Sequence, residues 1–259
     1  MKQEKVQKFV FPVLLGVVII ALLQSGLIHK LFHIKVLQLP LPSSIAQAIA
    51  ENIQKIIPNA IVTILPAISG LLLGALIGYS IALFVTAYPN LGYGSLFLMT
   101  IITSVPIVAL APLMNRWFPN PFFAKLAVVI VASSGAMAVN AFHGLSDLPK
   151  NVLDLMYANA ASKRETFIKL RIPNSLPYVF TAFKIGITAA MLATIISEFF
   201  STQTSGLGYM IKYTLKVGNQ KQIGWAYIVS ASIVSILFYS IICFFERRLL
   251  KWHISQKKK

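Results

Sequence analysis

Six stretches of this chain, near residues 9–28, 59–87, 93–114, 122–142, 178–200 and 223–245, are apolar, hold few or no charges, and are each long enough for a helix to cross a bilayer. A hydrocarbon core about 30 Å thick takes about 20 residues of α-helix, and every backbone polar group inside it must be satisfied within the protein. The expected fold is therefore an all-α membrane protein with six transmembrane helices, a single transmembrane domain over 1–259. Composition agrees. Of the 259 residues 57% are hydrophobic and only 12% charged, and the mean hydropathy is +0.75, which one water-soluble core cannot absorb.

Six spans put both ends on one side, and Lys and Arg near short loops are retained in the cytoplasm. With the ends inside, the cytoplasmic set is Lys2, Lys5, Lys8, Lys150, Lys163, Arg164, Lys169, Arg171 and the basic tail 246–259; the outer set, Lys30, Lys35, Lys55, Arg116, Lys125, Lys212, Lys216 and Lys221, is smaller. The net charge of +16 gathers at membrane edges and in the tail rather than in a stripe with interleaved aromatics, which suits anionic lipid headgroups and argues against a nucleic-acid partner. The single cysteine, Cys243, lies in the last apolar run and offers neither a disulfide framework nor a thiolate cluster. No small-residue cleavage site follows the first run, where the chain reads Leu27-Ile28-His29, so that run is expected to stay as an anchor.

Between the first two runs, Ile45, Ile49, Ile53 and Ile56 recur at helical spacing, which predicts a short interfacial helix with Ser43 or Ser44 as its cap and Pro58 limiting its length. Gly70, Gly74 and Gly78 share one face of the second span and allow close packing, against a neighbouring helix of the same chain or against a second chain. Pro106 and Pro112 interrupt hydrogen bonding at membrane depth, as in helices that line a transport path and also in kinked structural helices. Lys184 and Glu198 are the ionisable residues nearest the hydrocarbon of the fifth span. Fourteen positions apart, about 21 Å along a helix, they cannot pair with each other. Lys184 either snorkels to headgroups or faces an aqueous vestibule; Glu198 is either a solvated helix end or a gate.

The polar stretch from 151 to 181 is too long for a turn and too periodic for a slack linker. A helix is expected from about Asn151, with Leu153, Met156, Tyr157, Ala160 and Ala161 on one face, then a second short helix around 166–170 ended by Pro173 and Pro177. Two short helices with an exposed, partly apolar ridge suit a partner's groove.

From Asp154 the residues DLMYANAASKRETFIKLRIPNSLP resemble the E-A-A-x-x-x-G signature and I-x-L-P close of permease subunits in binding-protein-dependent ABC importers. Asp154 falls at the Glu position, Ala160 at the Gly position, Ala161-Ser162-Lys163 follow as the usual A-S-R or A-S-K, and Ile172-Pro173 with Leu176-Pro177 complete it. Leu155 and Met156 depart from the paired alanines, and Ala160 from glycine, which favours continuous helix where glycine would permit a bend. Residues 105–118, 141–145, 183–186 and 197–211 are similar to the sulfonate, taurine, nitrate and thiamine-pyrimidine group of the same family. The resemblance implies a type I importer permease of a bacterial cell membrane. Residues 145–177 would form a cytoplasmic coupling insert between the fourth and fifth helices, seated on an ATPase that binds ATP and Mg. Asp154, Ala160, Ala161, Ser162, Lys163, Arg164 and Pro173 would make the contact. It further implies a second permease copy, an extracytoplasmic solute-binding protein, and a path for which Pro106, Pro112, Lys184 and Glu198 are the candidates.

The residues themselves fit that division of labour. No G-x-x-x-x-G-K-[ST] occurs and no Gly precedes Lys, so the usual phosphate loop is missing and no cofactor is expected in this chain. The seven acidic residues are scattered, His143 has no close carboxylate in sequence, and His29 with His33 reads as an interfacial pair rather than a metal site. No catalytic constellation emerges, so no enzyme is expected. The competing class is an ion- or proton-coupled secondary carrier, which needs mid-membrane ionisable groups and often internal repeats.

Overall fold

A computed structural model of the chain describes residues 2–217 and 220–251; the tail beyond 251 lies outside the described residues. Among these the elements are helical: α1 (Lys2–Gln24), α2 (Leu27–Phe32), α3 (Pro42–Ala87), α4 (Pro89–Thr103), α5 (Ile107–Trp117), α6 (Pro121–Ser146), α7 (Lys150–Ala158), α8 (Lys163–Thr166), a π-helical turn (Phe167–Arg171), α9 (Ile172–Phe200), α10 (Leu207–Lys216) and α11 (Lys221–Leu249). Four helical runs are long and apolar enough to cross a membrane, Pro42–Ala87, Pro121–Ser146, Lys163–Phe200 and Lys221–Leu249; Val10–Gln24 is a shorter apolar one.

The chain forms two compact units. The first takes residues up to 58 together with 210–230. In it Gly26, at φ 72°, turns the chain out of α1 into α2. Gln24 grips Ser43 through both its side-chain oxygen and nitrogen, at 3.1 and 2.9 Å. His29 is buried with its Nε2 2.6 Å from the Leu39 carbonyl, and Trp225 Nε1 donates to the Gln38 carbonyl at 3.1 Å.

The second unit, residues 59–209 and those from 231, holds the packed core. Ala67 and Leu71 of α3, Ala111 of α5, Val128 and Val129 of α6, and Ile187, Ala190, Met191 and Ala193 of α9 bury one another, with Val234, Phe238 and Ile242 of α11 against them. Small side chains dominate because apolar burial separates helix from lipid only weakly, so close backbone approach supplies the dispersion contact. Gly70, Gly74 and Gly78 show this directly: a Cβ at each would strike Val129, Ser133 or the Ser134 carbonyl of α6. Their shared face packs within the chain, the first of the two expected uses.

Three expectations about proline are corrected. The predicted interfacial helix is not separate, since α3 runs unbroken through Pro58 and starts at Pro42, with Ser43 and Ser44 inside its first turn. A proline removes one hydrogen bond and crowds the carbonyl four residues back, and a long membrane helix tolerates that when neighbouring helices, side chains or water satisfy the freed carbonyl. The third apolar run is not one straight span. It breaks at Ser104–Pro106, and the described part of α4 meets α5 at 91°. Pro106 causes the break, whereas Pro112 sits within an unbroken α5. Pro173 and Pro177 do not end a helix. Pro173 sits where the π-helical turn passes into α9 and Pro177 is carried inside α9, so helix is continuous from Lys163 to Phe200.

Candidate functional site

The insert is built from α7, α8 and the elbow between them. Pro149 precedes α7, and the helix ends at Asn159. The chain then turns through Ala160 at φ +51°, a left-handed conformation that a non-glycine residue adopts at a cost of about 1 kcal/mol. The bend that glycine would have eased is made nevertheless, with Ala160 N–H donating to the Tyr157 carbonyl at 2.9 Å and Ala161 N–H to the Met156 carbonyl at 3.0 Å. What forces it is the start of α8. Ser162 accepts from the Glu165 N–H at 3.2 Å while the Glu165 carboxylate accepts from the Ser162 N–H at 3.0 Å, a reciprocal capping box. Lys169 adds an ion pair to Glu165 at 3.0 Å. These bonds hold the exposed Glu165 carboxyl down at about 2 from an ordinary 4.5, the Ser162 backbone N–H contributing most and Lys169 next.

Asp154, Ala160, Ser162, Lys163 and Arg164 are exposed, Ala161 and Pro173 half-buried. The expected apolar face divides: Leu153 and Met156 are half-buried, while Tyr157 is 76% exposed, and Leu155, outside that expected face, is 62% exposed. An outward ridge of Leu155 and Tyr157 thus stands beside the basic pair Lys163 and Arg164.

Glu198 overturns the expectation of a solvated helix end. It is fully buried and paired with Lys125, itself 1% exposed, at 3.2 Å. Thr63 donates to both carboxylate oxygens at 3.0 and 3.1 Å, and the Gly208 N–H donates at 2.8 Å. The start of α10 is capped from a distance: the Leu207 N–H reaches the Thr63 hydroxyl at 2.9 Å and the Gly206 N–H the Asn59 side-chain oxygen at 2.7 Å. Gly206, at φ +109°, lies so close that a Cβ would collide with the Glu198 carboxylate. Lys125 spends its other protons on the Gln203 side chain at 3.3 Å and on the Val62 carbonyl at 3.2 Å. That carbonyl is the one Pro66, four residues on, cannot serve. A buried charge pair with every neighbour satisfied holds structure, and it offers no free donor to a solute. Lys125 forms one wall of a cleft of about 460 Å³ with Val62, Leu65, Asn120, Phe122 and Thr202.

Lys184 also has a partner that its own helix does not reveal, Glu246 of α11, at 2.9 and 3.1 Å with both side chains largely buried. The four candidate path residues are therefore not one cluster. Pro106 stands exposed at the break, Pro112 on α5, and Lys184 and Glu198 in separate ion pairs. Sequence reading missed Lys125, Thr63, Asn59 and Glu246, whose pairings join distant parts of the chain. It also missed the Ser162-to-Glu165 box, which its S-x-x-E spacing does announce.

The family of binding-protein-dependent transport system inner membrane components matches residues 93–251, from α4 through α11 and including the whole insert. The chain belongs to this family. An inner membrane component of this kind is a multi-pass transport subunit without an ATPase site, working with a separate ATPase and a solute-binding partner, and the ion-coupled alternative finds no support. The chain is 28% identical over 153 residues to the formylaminopyrimidine transport permease of Halalkalibacterium halodurans, covering 59% of this chain and 60% of that one. It is 25% identical over 202 residues to the nitrate import permease of Leptolyngbya laminosa, covering 78% and 68%. In fold it resembles the crystal structure of an amino acid ABC transporter with histidines, with a TM-score of 0.60 at 17% identity, over 78% of this chain and 97% of that one.

Proposed function

We propose that this permease forms the membrane path for a small organic or anionic solute and that residues 145–177 couple it to a cytoplasmic ATPase. The observation that carries this reading is the insert itself, an elbow stiffened by the Ser162–Glu165 box that displays Leu155, Tyr157, Lys163 and Arg164 to solvent. An aromatic and aliphatic ridge beside two cations suits a groove with an acidic rim. Asp154, Ala160, Ala161, Ser162, Lys163 and Arg164 make the contact, with Pro173 setting where α9 takes over. ATP and Mg are bound by the ATPase, and a second copy of this chain completes the path. An extracytoplasmic binding protein delivers the solute, and lipid headgroups meet the basic edges.

In this reading both termini and the insert are cytoplasmic, at a bacterial cell membrane. The break at Pro106 lines the path, since freed backbone groups at membrane depth are tolerated where they face protein or a wet cavity. The solute is of the class that the relatives' names span, a small oxoanion such as nitrate or a small heteroaromatic such as formylaminopyrimidine. An insert that transmits a change of state must bind the two states of its partner unequally. Lys163→Glu with Arg164→Glu should therefore abolish uptake while the protein stays in the membrane and the ATPase still hydrolyses ATP; normal uptake by that variant would contradict the assignment.

A further inference from the structure

The insert leaves the spans at Asp147 and returns at Arg171, and the neck between these points is tied by bonds that the sequence motif does not include. A helix end leaves its last carbonyls without partners, and those of α6 are capped from the returning chain. Arg171 donates to the Leu145 carbonyl at 2.7 Å. The Asn174 side-chain amide donates to the Gly144 carbonyl at 2.8 Å and to the Asp147 carbonyl at 3.2 Å, and the Tyr178 hydroxyl reaches the Asp147 carboxylate at 3.2 Å. The Arg171 cation faces the negative end of the α6 dipole. At the same level Gly144 brings the two helices into backbone contact, for a Cβ there would sit 2.7 Å from the Ser175 Cα. Ser175, fully buried, lies 3.1 Å from the Tyr79 hydroxyl of α3.

Three helices are thus joined where the insert is rooted, at the point where the π-helical turn ends in Arg171. We propose that Arg171 and Asn174 are positioning residues that weld the neck, so that displacement of the insert by the ATPase reaches α6 and α9 as a rigid-body motion rather than being absorbed as bending. The proposal rests on the insert being the ATPase contact and adds what makes that contact effective. A loose neck would flex at Leu148–Pro149 or at the π-helical turn, and ATP would be spent without moving the spans.

The test uses the full complex with its ATPase, with Cys243 replaced by Ser and spin labels at Ala158→Cys on α7 and Phe123→Cys at the far end of α6, the labelled chain being diluted with unlabelled chain so that each complex carries one labelled copy. Pulsed electron spin resonance reads the distance distribution between them, nucleotide-free and trapped with ATP, Mg and vanadate. A welded neck gives one narrow peak at the same distance in both states. Arg171→Ala with Asn174→Ala should roughly double its width, as a released segment samples more conformations, while ATP hydrolysis and co-purification of the ATPase persist; Arg171→Lys, which keeps the cation, should restore much of the narrowness. A peak that shifts between the two states in the unsubstituted neck, or one that stays narrow in the double variant, overturns the proposal. Should the double variant fail to accumulate, the unsubstituted neck alone still decides. Loss of the ATPase from the purified complex would instead count against the docking reading, so the two failures are distinguishable.

Discussion

Lys125 and Glu198 are each held by groups that one substitution would strand. Lys125→Ala leaves a carboxylate buried without its counter-charge, and the expected loss is about 3–5 kcal/mol, seen as a lowered unfolding midpoint of the detergent-solubilised protein. Lys125→Met combined with Glu198→Gln removes both charges and should be less destabilised than Lys125→Ala. An equal or larger loss would mean that charge pairing is not what the site provides. Ala160 makes the opposite case. At φ +51° its methyl group is a burden, so Ala160→Gly should leave uptake intact and stabilise the elbow by about 1 kcal/mol. Ala160→Val should destabilise it by more than that gain, measured by proteolytic cleavage of the insert.

The α7–α8 elbow carries a pH dependence whose sign follows from Glu165. Its folded value, about 2, lies below the ordinary 4.5, so the stabilisation is complete above about pH 4.5 and is lost as pH falls toward 2. Hydrogen exchange of the α8 amides, corrected for intrinsic rate, should be flat from neutral pH to about 5 and rise below; Glu165→Gln should remove that rise. A rise already present at neutral pH would show that the box does not hold the elbow. Four long helices, α3, α6, α9 and α11, were legible in the sequence because each holds a long apolar run, and the insert because its polarity and period change together; the break of the third run was not. The prolines misled because a proline in a sequence shows the N–H that is lost and not whether the helix carries on around it: α3 runs through Pro58, α5 through Pro112 and α9 through Pro177, and only Pro106 breaks its run. The Ala160 bend was hidden for a similar reason. Helix propensity favours continuation there, and the Ser162–Glu165 box outweighs it.

For the permease as a whole, the two ion pairs on α9 fix it to different partners, α6 near its end and α11 further back, while the neck of the insert fixes its start. Their partners were illegible because each pairs helices more than sixty positions apart. Coupling then depends on where the elbow lies, and the most direct measurement is the accessibility of Leu155→Cys, which leaves the Ser162–Glu165 box in place, in a chain with Cys243→Ser, to a membrane-impermeant maleimide. Labelling should occur in inside-out vesicles, be absent in right-side-out ones, and be suppressed when the ATPase is bound. Labelling of right-side-out vesicles, or labelling in inside-out vesicles that the ATPase does not suppress, would contradict the account.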